Sequence, residues 1–199
     1  MNNNFMNNNI LAEDSRGFSH VAVDAGLLAK RKLFLTEGVN DETSCMLIQQ
    51  MMYLDSENSE EEITLYINSP GGMVSSGLAV YDAMRLIRAP VRTVCIGTAA
   101  SMGAILFLAG DDREMLPHSK IMVHDPSYGG GNYAGKKPHE IQKEVDELNK
   151  TREVICKIIA ERTARPIEEI YEKTRTDCYF NAAEALDFGL ATAVSKELR

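Results

Sequence analysis

Basic residues are in short supply: 21 lysines and arginines face 29 aspartates and glutamates, a formal net charge of −8. A surface of that sign repels phosphate backbones and anionic headgroups, so neither nucleic acid nor a membrane surface is expected as the main partner. The four cysteines, Cys45, Cys95, Cys156 and Cys178, are widely spaced, with no Cys-x-x-Cys pair and no histidine cluster beside them. That disfavours a zinc site and supplies no disulfide framework, so no metal is expected. Long apolar runs are missing too, and none approaches the roughly 20 residues that a membrane helix needs. The first residues show no basic segment followed by an apolar core, so no signal peptide is expected and a reducing, cytoplasmic setting fits. No Gly-x-x-x-x-Gly-Lys-Ser/Thr loop occurs, so nucleotide use is not expected of this chain. There is no internal repeat.

What is present is ordinary globular material: 44% hydrophobic and 25% charged residues over 199 positions. A chain of this size buries roughly 70% of its unfolded surface, enough for one full domain. Residues 1–9 are mostly asparagine, with little to bury, and the next stretch, to about Lys32, has mixed signals without a clear period. Residues 1–26 are therefore read as an N-terminal segment, partly disordered or processed, and 27–199 as a single domain. Apolar residues from Asp41 to Leu54 follow helical spacing, with Asp41 or Thr43 as the expected cap. The acidic run Asp55 to Glu62 reads as a solvated turn, and Ile63 to Asn68 as a strand ended by Ser69-Pro70-Gly71-Gly72. A helix then closes at Pro90, and Val91 to Ile96 is a buried strand followed by a small-residue bend, Gly97 to Ser101. Met102 to Ala109 is apolar on every side, which predicts a central helix. Ile121 to His124 reads as a strand. A glycine run then opens a flexible excursion into a long helix, with Pro138 at its first position and Pro166 as its stop. A short helix over Ile167–Lys173 and a final one begun by Asn181, with Glu184 as capping-box partner, complete an α/β layout. In such a layout ligands bind where strands end and helices begin.

A serine hydroxyl becomes a useful nucleophile when a base takes its proton and a third group orients that base. Ser101, His124 and Asp177 supply those types in that order. Ser101 stands where a strand turns into a helix, beside Ala99, Ala100 and Gly103, so a carbonyl can come close and a helix N-terminus can face an oxyanion. Its surroundings are not Gly-x-Ser-x-Gly. Taken singly, Ser101 serves equally as a helix cap, His124 as a partly buried strand-end histidine and Asp177 as a turn residue. The glycines of Ser69-Pro70-Gly71-Gly72 leave main-chain N–H groups open to a ligand, or simply make a tight turn. If Gly72 lies beside Ser101, its N–H and that of Met102 would form an oxyanion hole.

The combination is more specific. Tyr66-Ile67-Asn68-Ser69-Pro70-Gly71-Gly72, Ala99-Ala100-Ser101-Met102-Gly103-Ala104 and Ile121-Met122-Val123-His124-Asp125-Pro126 closely resemble three signature segments of the ClpP family, the proteolytic subunits of the ATP-dependent Clp protease. Asp177-Cys178-Tyr179-Phe180-Asn181-Ala182-Ala183-Glu184-Ala185, with Phe188-Gly189-Leu190 after it, resembles the family's aspartate-bearing stretch. The resemblance implies a ClpP/crotonase-like fold of repeated β-β-α units with a protruding handle helix, about residues 127–165, and an N-terminal segment on the axial-pore side. It implies a serine endopeptidase with Ser101 as nucleophile, His124 as general base and acid, Asp177 as orienting acid, and Gly72 and Met102 as oxyanion donors. The implied partners are copies of the chain in heptameric rings stacked as a tetradecamer, or a paralogue in a mixed ring. A AAA+ Clp unfoldase that consumes the ATP and unfolded protein substrates complete the set; this chain itself binds no cofactor.

Three departures accompany the resemblance. Asp125 stands where the family usually has glutamine, and its carboxylate would add charge at His124 if it faced the imidazole. The glycine run carries Asn132-Tyr133 and Lys136-Lys137. Arg175-Thr176 replaces the acidic-basic pair that commonly bridges the rings. Two other readings follow: a weakly active or structural paralogue that completes a mixed ring, and a crotonase-fold enzyme acting on acyl-CoA thioesters, which generally lacks a serine-histidine pair.

Overall fold

The structure, a computed structural model, describes residues 9–14, 17–129 and 134–198. The asparagine-rich segment through residue 8, and residues 130–133 of the glycine excursion, lie outside the described residues. Where the sequence shows no clear period, the chain forms a hairpin: β1 (Asn9–Asp14) runs antiparallel to β2 (Gly17–Ala22) as a separate two-stranded sheet. The short α1 (Val23–Leu28) leads to β3 (Lys32–Leu35) and then to α2 (Asp41–Glu57).

The cap of α2 is Asn40, one residue before the expected pair. Its side chain accepts from the Thr43 N–H, and the Thr43 hydroxyl accepts from the Asn40 N–H, each at 3.0 Å. Thr43 is therefore the far half of a capping box. The helix also continues into the acidic run, because Asp55 has work to do there. Its carboxylate accepts the N–H groups of Arg88 and Ala89 at 3.0 and 2.9 Å and so ties the helix to the next loop.

The remaining elements alternate: β4 (Ile63–Ser69), α3 (Val74–Leu86), β5 (Val91–Ala100), α4 (Met102–Ala109), β6 (Asp112–Met115), β7 (Lys120–Val123), α5 (Pro138–Thr163), α6 (Ile167–Thr174), β8 (Cys178–Asn181), α7 (Ala182–Phe188) and β9 (Ala193–Val194). Asn181 caps α7 in a capping box with Glu184, as the sequence predicts. A seven-stranded sheet runs β3-β4-β5-β6-β9, with all of these pairs parallel. β7 pairs parallel with the far end of β5, and β8 pairs antiparallel with β7. This is the mixed α/β fold expected for the ClpP family.

The expected bend at Gly97 to Ser101 is a strand almost to its end, since β5 continues through Ala100. The reason is a change of partner. Arg92 to Cys95 pair with β6, and once β6 stops, Thr98 to Ala100 take up β7. Small side chains there do not end a strand whose backbone still has a ladder to join. β6 escaped the sequence reading because Asp112-Arg113-Glu114 looks like a solvated turn. Arg113 is in fact buried, its Nε donating to the Leu190 carbonyl at 2.8 Å.

Every residue of α4 is buried, as its all-apolar surface predicts. It packs on β5, between α3 and α5. The long α5 buries its apolar face only from Ile155 onward, at Ile155, Cys156, Ile158 and Ile159, while Val145 is 41% exposed. No helix among the described residues is long and apolar enough to cross a membrane.

Candidate active site

Strand register brings the three candidate side chains together. In the parallel β5–β7 ladder Ala100 lies opposite Met122, and the Ser101 N–H donates to the Met122 carbonyl at 2.9 Å. Ser101 thus leaves β5 as β7 is about to end, and His124 is the first residue beyond β7. In the antiparallel β7–β8 ladder Val123 lies opposite Cys178. Continuing that register by one step sets His124 across from Asp177. One parallel and one antiparallel pairing therefore converge on a single edge.

The side chains follow the backbone. Ser101 Oγ is 2.9 Å from His124 Nε2. His124 Nδ1 is 3.4 Å from Asp177 Oδ1, within ion-pair reach but longer than an aligned hydrogen bond. The histidine side chain is 25% exposed and that of Asp177 58%.

Ser101 precedes α4 at the capping position, yet its side chain makes no capping hydrogen bond. Its backbone has φ 53° and ψ −123°, a conformation that residues with a side chain rarely adopt. Backbone strain of this kind persists only where the surroundings enforce it, and it gathers at functional sites. Here the strained turn directs Oγ at the imidazole instead of at the helix N–H groups.

The Ser69–Gly72 turn is pressed against this bend. A Cβ on Gly71 would lie 2.5 Å from the Ala100 carbonyl oxygen, 2.7 Å from Ser101 Cβ and 2.8 Å from Met102 N. Gly71 has φ +87°, so its lack of a side chain answers to both space and conformation. Gly71 is thus the residue in direct contact with Ser101, and Gly72 is the next along. A Cβ on Gly72 would lie 2.1 Å from the Val39 carbonyl oxygen, so that glycine lets the turn dock on the segment after β3. Met102 is the first residue of α4, so the helix offers its N–H no internal partner. Ser101 and His124 share a cavity with the apolar side chains of Val74, Ile105, Val123, Ile155 and Ile159.

Asp125 does not face His124. Its Oδ1 accepts from the Thr174 hydroxyl at 2.6 Å, its Oδ2 lies 2.7 Å from Arg152 Nε, and its N–H donates to the Thr174 carbonyl at 2.6 Å. Arg152 and Thr174 were not singled out in the sequence. The alternation of charged and apolar residues along a long helix gives no sign of which arginine turns inward. Arg175 and Thr176 are exposed between α6 and β8.

The fold and the Ser101–His124 pair are those of an α/β protein with the makings of a serine peptidase. A protein-family model, Clp protease, matches residues 15–197. The chain belongs to the Clp protease family, a family of ClpP-type serine peptidases.

Proposed function

We propose that this chain is a serine endopeptidase subunit that cuts unfolded polypeptides by a Ser101–His124–Asp177 mechanism. The observation that carries this reading is the 2.9 Å contact between Ser101 Oγ and His124 Nε2, made from a strained turn that gives up helix capping. His124 Nε2 takes the hydroxyl proton as Oγ attacks the scissile carbonyl, and the same imidazole returns the proton to the leaving amine. Asp177, on the Nδ1 side, holds the ring in the tautomer that leaves Nε2 free to accept. The N–H groups of Gly72 and Met102 face the developing oxyanion, with the N-terminus of α4 adding positive potential.

As a Clp-type peptidase it works in the cytoplasm inside stacked heptameric rings, a tetradecamer, fed by a AAA+ unfoldase that supplies the ATP hydrolysis. Two features support the assembly. Along the first half of α5, Val145 is exposed and Ile141 and Leu148 are only half-buried among the described residues. Asp177 is also more than half exposed, so an adjoining subunit would be needed to exclude water from it. The same exposure favours a second reading, in which the chain alone is weakly active and completes a ring with a more active paralogue.

Fluorophosphonate labelling and model-peptide hydrolysis test the assignment. Ser101→Ala is expected to abolish labelling and to lower kcat by at least about four orders of magnitude. Labelling of Ser101→Ala at the wild-type level would overturn it. Activity of the purified chain, alone and mixed with a paralogue, separates the two assembly readings.

A further inference from the structure

The carboxylate next to the catalytic histidine is the hub of a half-buried network that reaches α5 and α6. Asp125 Oδ2 meets Arg152 Nε of α5 at 2.7 Å as an ionic contact. Arg152 in turn donates from Nη2 to the Tyr171 carbonyl of α6 at 3.3 Å, and its guanidinium lies over the Tyr171 ring, 4.7 Å from the centroid. On the other side, Thr174 Oγ1 lies 2.6 Å from Asp125 Oδ1 and 3.0 Å from the Ile170 carbonyl oxygen. A hydroxyl has one proton to donate, and the charged, closer carboxylate is the stronger acceptor. Cys156 Sγ is 3.6 Å from Thr174 Oγ1 and can donate its S–H to it. Burial pushes the Cys156 thiol up, which keeps it in the protonated form that such a donor requires. Thr174 and Cys156 are fully buried. From Cys156 through Thr174 to Asp125 the hydrogens are thereby assigned, and Arg152 joins the chain as an ion pair.

Its position matters more than its strength. Asp125 is covalently next to His124, and Thr174 ends α6 just before the Arg175-Thr176 link to Asp177. The two residues are joined both by the main-chain bond from Asp125 N–H to the Thr174 carbonyl and by the side-chain bond. Asp177 is exposed and contacts His124 at only 3.4 Å, so its own surroundings do little to hold it. As a contribution to stability the Asp125–Arg152 pair is small, since both side chains are about a third exposed and solvent screens their attraction. Alignment is more demanding, because a misplacement of about 1 Å can cost about 100-fold in rate.

We propose that Asp125, Thr174 and Arg152 are positioning residues that clamp the end of α6 to the strand end bearing His124, and so hold Asp177 in register with the imidazole. The proposal rests on the serine-peptidase reading above. The clamp acts through the backbone, and none of the three side chains touches the reacting atoms.

The test is steady-state hydrolysis of a model peptide by the assembled protein, with thermal melting and particle mass measured for each variant. Thr174→Val, which keeps the shape and removes the hydroxyl, and Asp125→Ala are each expected to lower kcat by about 10- to 100-fold with KM within about twofold. Thr174→Ser, which restores the hydroxyl, is expected to return kcat to within about threefold of wild type. The double variant Asp125→Ala/Thr174→Val should be no slower than the slower single, since both break one clamp. Wild-type kcat in folded Thr174→Val and Asp125→Ala would overturn the proposal, as would failure of folded Thr174→Ser to recover. If Asp125→Ala or Thr174→Val does not fold, Arg152→Lys, which keeps the charge but loses the planar contact with Tyr171, is expected to lower kcat at least about threefold; an unchanged kcat there would overturn it too. Ser101→Ala run alongside separates the two ideas: inactive Ser101→Ala with fully active clamp variants refutes only the clamp, whereas active Ser101→Ala refutes the peptidase reading on which it rests.

Discussion

Ser101 occupies a conformation that costs a residue with a side chain about 1–3 kcal/mol, and the structure holds it there from three sides. Its N–H is bonded to the Met122 carbonyl, Gly71 packs against it, and the wholly buried α4 follows at once. Replacing Ser101 by glycine should release that strain. Glycine's greater freedom in the unfolded chain takes back about 0.5–1 kcal/mol, leaving a net gain of order 1 kcal/mol. Ser101→Gly is therefore expected to melt about 2–4 °C above wild type while losing hydrolysis, whereas Ser101→Ala loses hydrolysis and melts close to wild type. A Ser101→Gly melting point at or below that of wild type would show that the turn stores no strain. At this scale the sequence could name Ser101, His124 and Asp177 but could not choose between nucleophile and helix cap. The two readings differ in where Oγ points, and that direction depends on the backbone angles at Ser101 and on His124, the residue after β7.

Elements were legible in proportion to how local their causes are. α4 is apolar on all sides and α7 opens with Asn181 and Glu184, so both could be read from a few consecutive residues. β6 and β9 could not, because each is a strand only through its neighbours in the sheet, and β6 hides a buried arginine whose partners lie far along the chain. The cysteines offer a chemical probe of the same elements. All four are free; Cys95 on β5 and Cys156 on α5 are buried, whereas Cys45 on α2 is exposed. Burial pushes the Cys95 and Cys156 thiols up, away from the reactive thiolate. Iodoacetamide at neutral pH followed by peptide mass mapping is expected to modify Cys45 first and to leave Cys95 and Cys156 intact until the chain is unfolded. Prompt alkylation of Cys156 in the native protein would show that α5 opens away from α6.

The whole molecule leaves unfinished surfaces. α5 is buried against the domain along its C-terminal half, whereas nearer its N-terminus Val145 is exposed and Ile141 and Leu148 are only half-buried, and Arg175, Thr176 and Asp177 are exposed. Assembly through these surfaces would cover both. Sedimentation velocity is expected to find a particle many times the 22.0 kDa of one chain, and Val145→Glu is expected to shift it toward smaller species with a parallel loss of peptidase activity. A wild-type chain that sediments as a monomer with full activity would refute the ring arrangement.

By itself the sequence determined the α/β alternation, the buried central helix, the family resemblance and the identity of the three candidate residues. Those follow from local periodicity, caps and ordered short motifs. The tertiary structure decided what they do to each other. The partner change along β5 delivers Ser101 to the end of β7, and the antiparallel β8 returns Asp177 opposite His124. It also turned Asp125 away from the imidazole and toward Arg152 and Thr174. Side-chain direction and strand pairing depend on segments far apart in the chain, and no short stretch of sequence encodes them alone.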